Sequence, residues 1–133
     1  MRPYKQYRVW QDSHALTLDV YELTRGFPRE ELFGLSSQMR RAASSVPMNI
    51  VEGSVKSDSE FRHALLIALG SAAELDYQFL LAHDLGYVGR ESAEALTARV
   101  ASIQRMLITF RNRIRQNDPP PTDSRRPIAG DPQ

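Results

Sequence analysis

The chain has 133 residues, 41% hydrophobic and 25% charged, with no cysteine and a net charge of +1. That balance suits one globular core of ordinary size and excludes a disulfide frame or a thiolate metal site. The opening MRPYKQYRVWQ lacks the apolar run of a signal peptide, and no segment approaches the roughly 18 apolar residues of a membrane span, so a cytoplasmic location is expected.

Charge is uneven along the chain. Residues 1–9 carry Arg2, Lys5 and Arg8 with no acid, and residues 99–115 carry Arg99, Arg105, Arg111, Arg113 and Arg115 with no acid. Between them, residues 12–94 hold seven Lys or Arg against thirteen Asp or Glu. Both ends of the folding part are therefore basic and its middle is acidic.

Helical periodicity runs throughout, with no alternating strand pattern. In the first segment, about Val9 to Thr24, Val9, Leu16, Val20 and Leu23 share a face. Gly26 offers a left-handed stop, Pro28 suits the first turn of the next helix, and Glu30 and Glu31 suit the positive end of that helix. The second segment poses a conflict, because SSVPMNIVEG places Pro47 inside a helical pattern. Leu32, Leu35, Met39, Ala42, Val46, Ile50 and Gly53 keep their 3–4 phase across that proline. A turn there would lose the phase, so one helix kinked at Pro47 is expected, ending at Gly53.

Ser57 followed by Glu60 fits a capping box for the third segment. Phe61, Leu65, Ala68, Ala72, Leu75, Phe79 and Ala82 follow a 4–3 repeat, and the small residues of ALGSAAE allow a neighbouring helix close. The fourth segment, about Glu91 to Gln116, repeats the pattern with Leu96, Val100, Ile103, Leu107, Phe110 and Ile114. After Asn117 come five of the eight prolines and almost no apolar residues, the composition of a disordered tail. The expected organisation is a basic N-terminal arm (1–8), an all-α, antiparallel up-down-up-down four-helix bundle (9–117) and a disordered tail (118–133). Such a bundle brings the start of the first helix and the end of the fourth to one end. The basic clusters then converge, with Glu52, Asp58 and Glu60 diluting them.

On the second helix Gln38, Arg41, Ser45, Asn49 and Glu52 form a polar stripe beside the apolar one. A solvated helix face is one reading. Asn and Ser are poor choices for an exposed helix interior, which favours a hydrogen-bonded seam between helices or subunits. In that seam Glu74 would be partly buried and paired with Arg40 or Arg41, and Asn49 would help satisfy a backbone group freed by Pro47. Glu60 and His63 have the Glu-x-x-His spacing of di-iron bundles, but the second copy is missing: Gln11 and Leu80 precede His14 and His83 by three. There is no phosphate loop, zincin motif or nucleophile elbow, so neither enzyme activity nor a cofactor or metal is expected. Tyr4, Tyr7 and Trp10 lie among Arg2, Lys5 and Arg8, a mixture that stacks on bases and neutralises phosphates, or else packs on the bundle end. On the fourth helix Arg111 and Arg115 share a face and Arg113 lies on another.

Three stretches, VWQDSHALTLDVYELTRGFPREE, LSSQMRRAASSVPMNIVEG and LLIALGSAAELDYQFLLAHDLGY, resemble the four helix bundle proteins encoded in 23S rRNA intervening sequences. That family includes the accessory variability determinants of diversity-generating retroelements. The resemblance covers roughly residues 9–115 and is carried most specifically by Gln38, Arg41, Ala42, Ser45, Pro47, Asn49, Ile50, Glu52, Gly53, Gly70, Ser71 and Glu74. Val51 stands where the pattern has a small residue. The resemblance implies a homopentamer and, in the retroelement branch, binding to nucleic acid and to a reverse transcriptase. The expectation is thus a non-enzymatic oligomeric scaffold. Its basic end, through Arg2, Lys5, Arg8, Arg105, Arg111, Arg113 and Arg115, meets RNA or DNA; its seam runs through Gln38, Arg41, Ser45, Asn49, Glu52 and Glu74. The rival is a protein–protein interaction ring that leaves nucleic acid alone.

Overall fold

The computed structural model describes residues 2–117, with side chains through Ile114. The helices are α1 (Arg8–Thr24), α2 (Leu35–Gly53), α3 (Asp58–Asp84) and α4 (Arg90–Asn117), with single 3-10 turns at Tyr4–Gln6 and Arg29–Glu31. Each helix packs along its neighbour in sequence, α2 with α3 and α3 with α4 most extensively, while α1 meets α4 more sparingly. The proline-rich stretch 118–133 lies outside the described residues.

The α3 stripe is buried at all seven positions from Phe61 to Ala82. Its alanines let α2 and α4 approach closely, which is why those two contacts dominate. The Ser57–Glu60 capping box forms: the Glu60 amide donates to Ser57 Oγ at 3.2 Å, and the Ser57 amide donates to Glu60 Oε1 at 3.2 Å. Gly86, with φ +84°, supplies the left-handed residue that follows α3. Gly26 does not play that part; α1 ends in tight turns, the Gly26 and Phe27 amides donating to Leu23 O and Thr24 O.

The second helix continues through Pro47, as the unbroken stripe requires. Leu35, Met39, Ala42, Val46 and Ile50 are buried. Leu32 is not part of the stripe: it lies in the turn before α2, exposed. Pro47 has no N–H, so the carbonyl of Ala43 lacks its helical partner. Thr17 of α1 supplies one. Its buried hydroxyl lies 3.0 Å from Ala43 O and 2.8 Å from Ser13 O, sharing one hydrogen between them. Asn49 does not reach this gap. Its amide nitrogen donates to Ser45 O at 2.8 Å and Ser45 Oγ at 3.1 Å instead.

The two ends of the bundle are closed differently. At one end Glu31 Oε1 accepts the Leu35 amide at 3.1 Å and Glu31 Oε2 accepts the Tyr87 hydroxyl at 2.8 Å, tying the α1–α2 connection to the α3–α4 connection. The Leu35 amide, helped by Tyr87, holds the Glu31 carboxyl below the usual carboxylate range, and Glu31 in turn raises the Tyr87 phenol. At the other end residues 2–7 lie against the bundle rather than projecting from it: the Arg2 amide donates to Ser54 O at 3.2 Å, and the rings of Tyr7 and Phe110 meet at 4.7 Å.

By length and composition α3 would pass as a membrane-crossing helix, against the expectation that no segment approaches a span. One face of it forms the core. Its outward side still shows Leu66, Tyr77 and Leu80, with Ile67 on the other flank, each about half exposed or more.

Gly53 is helical and buried, and it is glycine for closeness rather than for a left-handed stop. A Cβ there would lie 2.5 Å from Phe61 Cδ1 and 2.9 Å from the Ala64 Cβ. Overpacking costs about 1–3 kcal/mol, against a helix-propensity gain of roughly 0.5–1 kcal/mol for alanine over glycine. Gly53→Ala is therefore expected to lower stability in urea denaturation by about 1–2 kcal/mol; an unchanged or raised midpoint would show that α2 and α3 are not in close contact there.

Candidate nucleic-acid interface

The antiparallel arrangement brings the start of α1 and the end of α4 together, and an open groove of roughly 430 Å³ runs between them. Tyr7, Arg8 and Val9 line one side, and Ser102, Arg105, Met106, Thr109, Phe110 and Arg113 line the other. The groove sits on the seam where the helices pack least extensively. Lower along the same seam, Arg99 donates to Asp19 Oδ2 at 2.6 Å and holds the helices in register.

The expected cationic residues divide into those the groove collects and those it does not. Arg8, Arg105 and Arg113 face it together. Arg8 lies 3.5 Å from Asp12, but its side chain is 82% exposed, and an exposed pair of that kind is worth little and is readily exchanged for a phosphate. Lys5 is exposed in the 3-10 turn just before α1.

Arg2 is spent on structure and leaves the set. Its guanidinium pairs with Asp58, donates to Lys56 O at 2.8 Å, and lies 4.9 Å from the centre of the Phe61 ring. It staples the N-terminus to the turn between α2 and α3, so Asp58 neutralises Arg2 rather than diluting the groove. Arg111 leaves it too. At about 100° per residue it points some 120–160° away from Arg105 and Arg113, on the α3 side, with its Nε buried. Arg115 lies in α4, its side chain outside the described residues.

Of the aromatics near the N-terminus, only Tyr7 reaches the groove. Tyr4 packs edge-on against Trp10 at 5.2 Å, and Trp10 stacks on His14 at 4.9 Å. Burial raises the Tyr7 phenol above its ordinary value, offset in part by Arg2. Phe110, expected from the sequence only as a stripe residue, is the aromatic on the α4 side. Its ring meets Tyr7 at 76° and Phe61, 5.3 Å away, at 75°.

The seam on α2 is partly formed. Ser45 Oγ and Ser71 Oγ lie 2.7 Å apart and join α2 to α3, with Asn49 bonded to Ser45. Gln38, Arg41, Glu52 and Glu74 are exposed instead. Glu74 is not buried and does not pair with Arg40 or Arg41. Arg40 turns the other way, donating from Nε to Thr24 Oγ1 at 2.8 Å and covering the Tyr21 ring at 4.9 Å. Of the small residues around Glu74, Ala72 is buried in the core and Ser71 bonds Ser45, whereas Gly70 and Ala73 lie with Glu74 on the exposed side of α3.

Among the described residues no group of three or more His, Asp or Glu could hold a metal ion. Glu60 serves the α3 cap, where its Oε1 accepts the Ser57 hydroxyl at 2.8 Å. That hydrogen bond lowers the Glu60 carboxyl. His83 Nδ1 lies 2.9 Å from Val88 O, within the α3–α4 connection.

The sequence model of the 23S rRNA-intervening sequence protein family matches residues 5–109. A crystal structure of a protein of unknown function, from the S23 ribosomal protein family of Bacteroides thetaiotaomicron, superposes with a TM-score of 0.71. It is 25% identical, and the match covers 78% of this chain and 95% of that chain. No curated protein matches. The family match spans both walls of the groove as far as Thr109 together with the Ser45–Ser71 seam, and the chain belongs to the 23S rRNA-intervening sequence protein family.

Proposed function

We propose that this protein is a non-enzymatic scaffold, assembled from copies of itself, that binds nucleic acid in the groove between the start of α1 and the end of α4. The observation that carries the reading is the convergence of Arg8, Arg105 and Arg113, from two helices distant in sequence, around Tyr7 and Phe110. A net charge of +1 for the chain argues against a broad electrostatic surface, but phosphate binding needs only local cations.

Self-assembly is supported by the outward face of α3. Leu66 (48% exposed), Tyr77 (60%) and Leu80 (54%) lie on it with Gly70 and Ala73 between them. An apolar face of that extent on a long helix is characteristic of an interaction surface. The finer assignment, an accessory protein of a diversity-generating retroelement working as a pentamer beside a reverse transcriptase, rests on the resemblance carried by Gln38, Arg41, Ser45, Pro47, Asn49, Glu52 and Glu74. A template repeat and a reverse transcriptase gene beside its own would support it; an insertion within a ribosomal RNA gene would point to the other branch. The second reading, an interaction ring without nucleic acid, is favoured by the same α3 face and separates cleanly by mutation.

Binding is expected to weaken steeply with salt, by about 0.7–0.9 in log–log slope per phosphate contact. The double substitution Arg105→Gln/Arg113→Gln should therefore lower nucleic-acid affinity and reduce that slope by roughly 1.4–1.8. Arg90→Gln, at the opposite end of α4, should change neither. Filter binding at several salt concentrations reads this; affinity unaffected by the double substitution would remove the groove from nucleic-acid binding.

Tyr77→Glu, on the exposed face of α3, should shift the protein to monomer in size-exclusion chromatography with light scattering while leaving its helical circular dichroism intact. A wild-type protein already monomeric at micromolar concentration would contradict self-assembly.

A further inference from the structure

We propose that the α1–α4 groove takes single-stranded nucleic acid in preference to duplex, seating an unpaired base against Tyr7, Met106 and Phe110 while Arg8, Arg105 and Arg113 meet the flanking phosphates. The inference rests on the nucleic-acid reading above and goes further in naming the form of strand.

The floor of the groove decides the point. Phosphates gain nothing from Val9, Met106 and Phe110, yet these share the groove with its cations. A duplex presents its backbone outward and keeps its base faces stacked inside, so it would meet the arginines and leave the apolar floor unused. A single strand presents both groups at once, and proteins that hold single strands combine a cationic track with aromatic platforms.

The spacing fits that use. Along α4 Arg105 and Arg113 are eight residues apart, about 12 Å of helix axis, and Phe110 stands between them. Tyr7 and Phe110 meet at 76°, so a flat base lying on one ring meets the other edge-on. Phe61 packs against Phe110 at 5.3 Å and Phe61 is fully buried, which fixes the platform before anything binds. Ser102 and Thr109 add hydroxyls on the α4 wall.

The other two large grooves lack this combination. Between α1 and α2, Trp10 and His14 line a groove with Arg41, but Glu52 lies in the same lining and offsets the cation; between α3 and α4, Tyr77 and Arg90 share the lining with Asp76 and Glu94.

Fluorescence anisotropy on the full chain tests the inference with labelled probes of equal length: oligothymidylate, the same backbone without bases, and a mixed-sequence duplex. Oligothymidylate should bind roughly tenfold or more tighter than the abasic strand, the worth of one stacked base, and tighter than the duplex. Both single strands should share one salt slope. Tyr7→Leu should shrink the gap between oligothymidylate and the abasic strand without changing that slope.

Equal affinity for the abasic strand, or tighter binding of duplex, overturns the inference. If Arg105→Gln/Arg113→Gln still abolishes that binding, the nucleic-acid reading itself survives. Absence of binding to all three probes overturns both.

Discussion

Thr17 holds its hydroxyl 3.0 Å from the carbonyl oxygen of Ala43, the interior carbonyl of α2 that Pro47 leaves without its helical donor. An interior proline costs an isolated helix about 3 kcal/mol, and a buried carbonyl left without a donor costs about 1–3 kcal/mol more in a packed interior. A threonine on the facing helix removes the second penalty, and burial of Val46, Pro47 and Ile50 works against the first. Because α2 then stays whole from Leu35 to Gly53, its far end arrives against Phe61 and Ala64, and the chain can turn back into α3. Had it broken at Pro47, neither the close packing at Gly53 nor the return of α4 beside α1 would result.

The groove is a consequence of that architecture. Alanines draw α2, α3 and α4 together, while the seam between α1 and α4 carries Tyr7, Met106 and Phe110 and remains partly open. Arginines placed at the two termini of the bundle thereby come to face one another. The same geometry explains why some cations take no part. Arg2 is close enough to the α2–α3 turn to become a staple, and Arg111 is rotated onto the other flank of α4.

The helices were legible because each has a one-sided apolar period: every stripe residue from Phe61 to Ala82 is buried. The continuity of α2 was legible from phase alone. What relieves Pro47 was not, since Thr17 lies 26 residues from Ala43 and nothing local links them. The convergence of the basic ends was legible from topology, but the membership of the cluster was not. Spacing on α4 separates Arg113 from Arg111, yet only the position of α1 shows that Arg105 and Arg113 face the groove. Glu74 misled because small neighbours suggest burial: Ala72 is buried and Ser71 bonds Ser45, but Glu74 itself lies with Gly70 and Ala73 on the exposed side of α3. Glu31 was legible as an acid at a helix start; its bond to Tyr87 joins residues 56 apart and has no sequence signature.

A double-mutant cycle on Thr17 and Pro47 tests the central claim most directly. In the native background Thr17→Val strips the donor from Ala43 O and should cost about 1–3 kcal/mol. With Pro47→Ala, the new amide at position 47 can bond Ala43 O itself, and the same Thr17→Val change should then cost less by roughly 1 kcal/mol or more. An equal cost in both backgrounds would contradict the account, because Thr17 would then be stabilising the bundle without compensating for the proline.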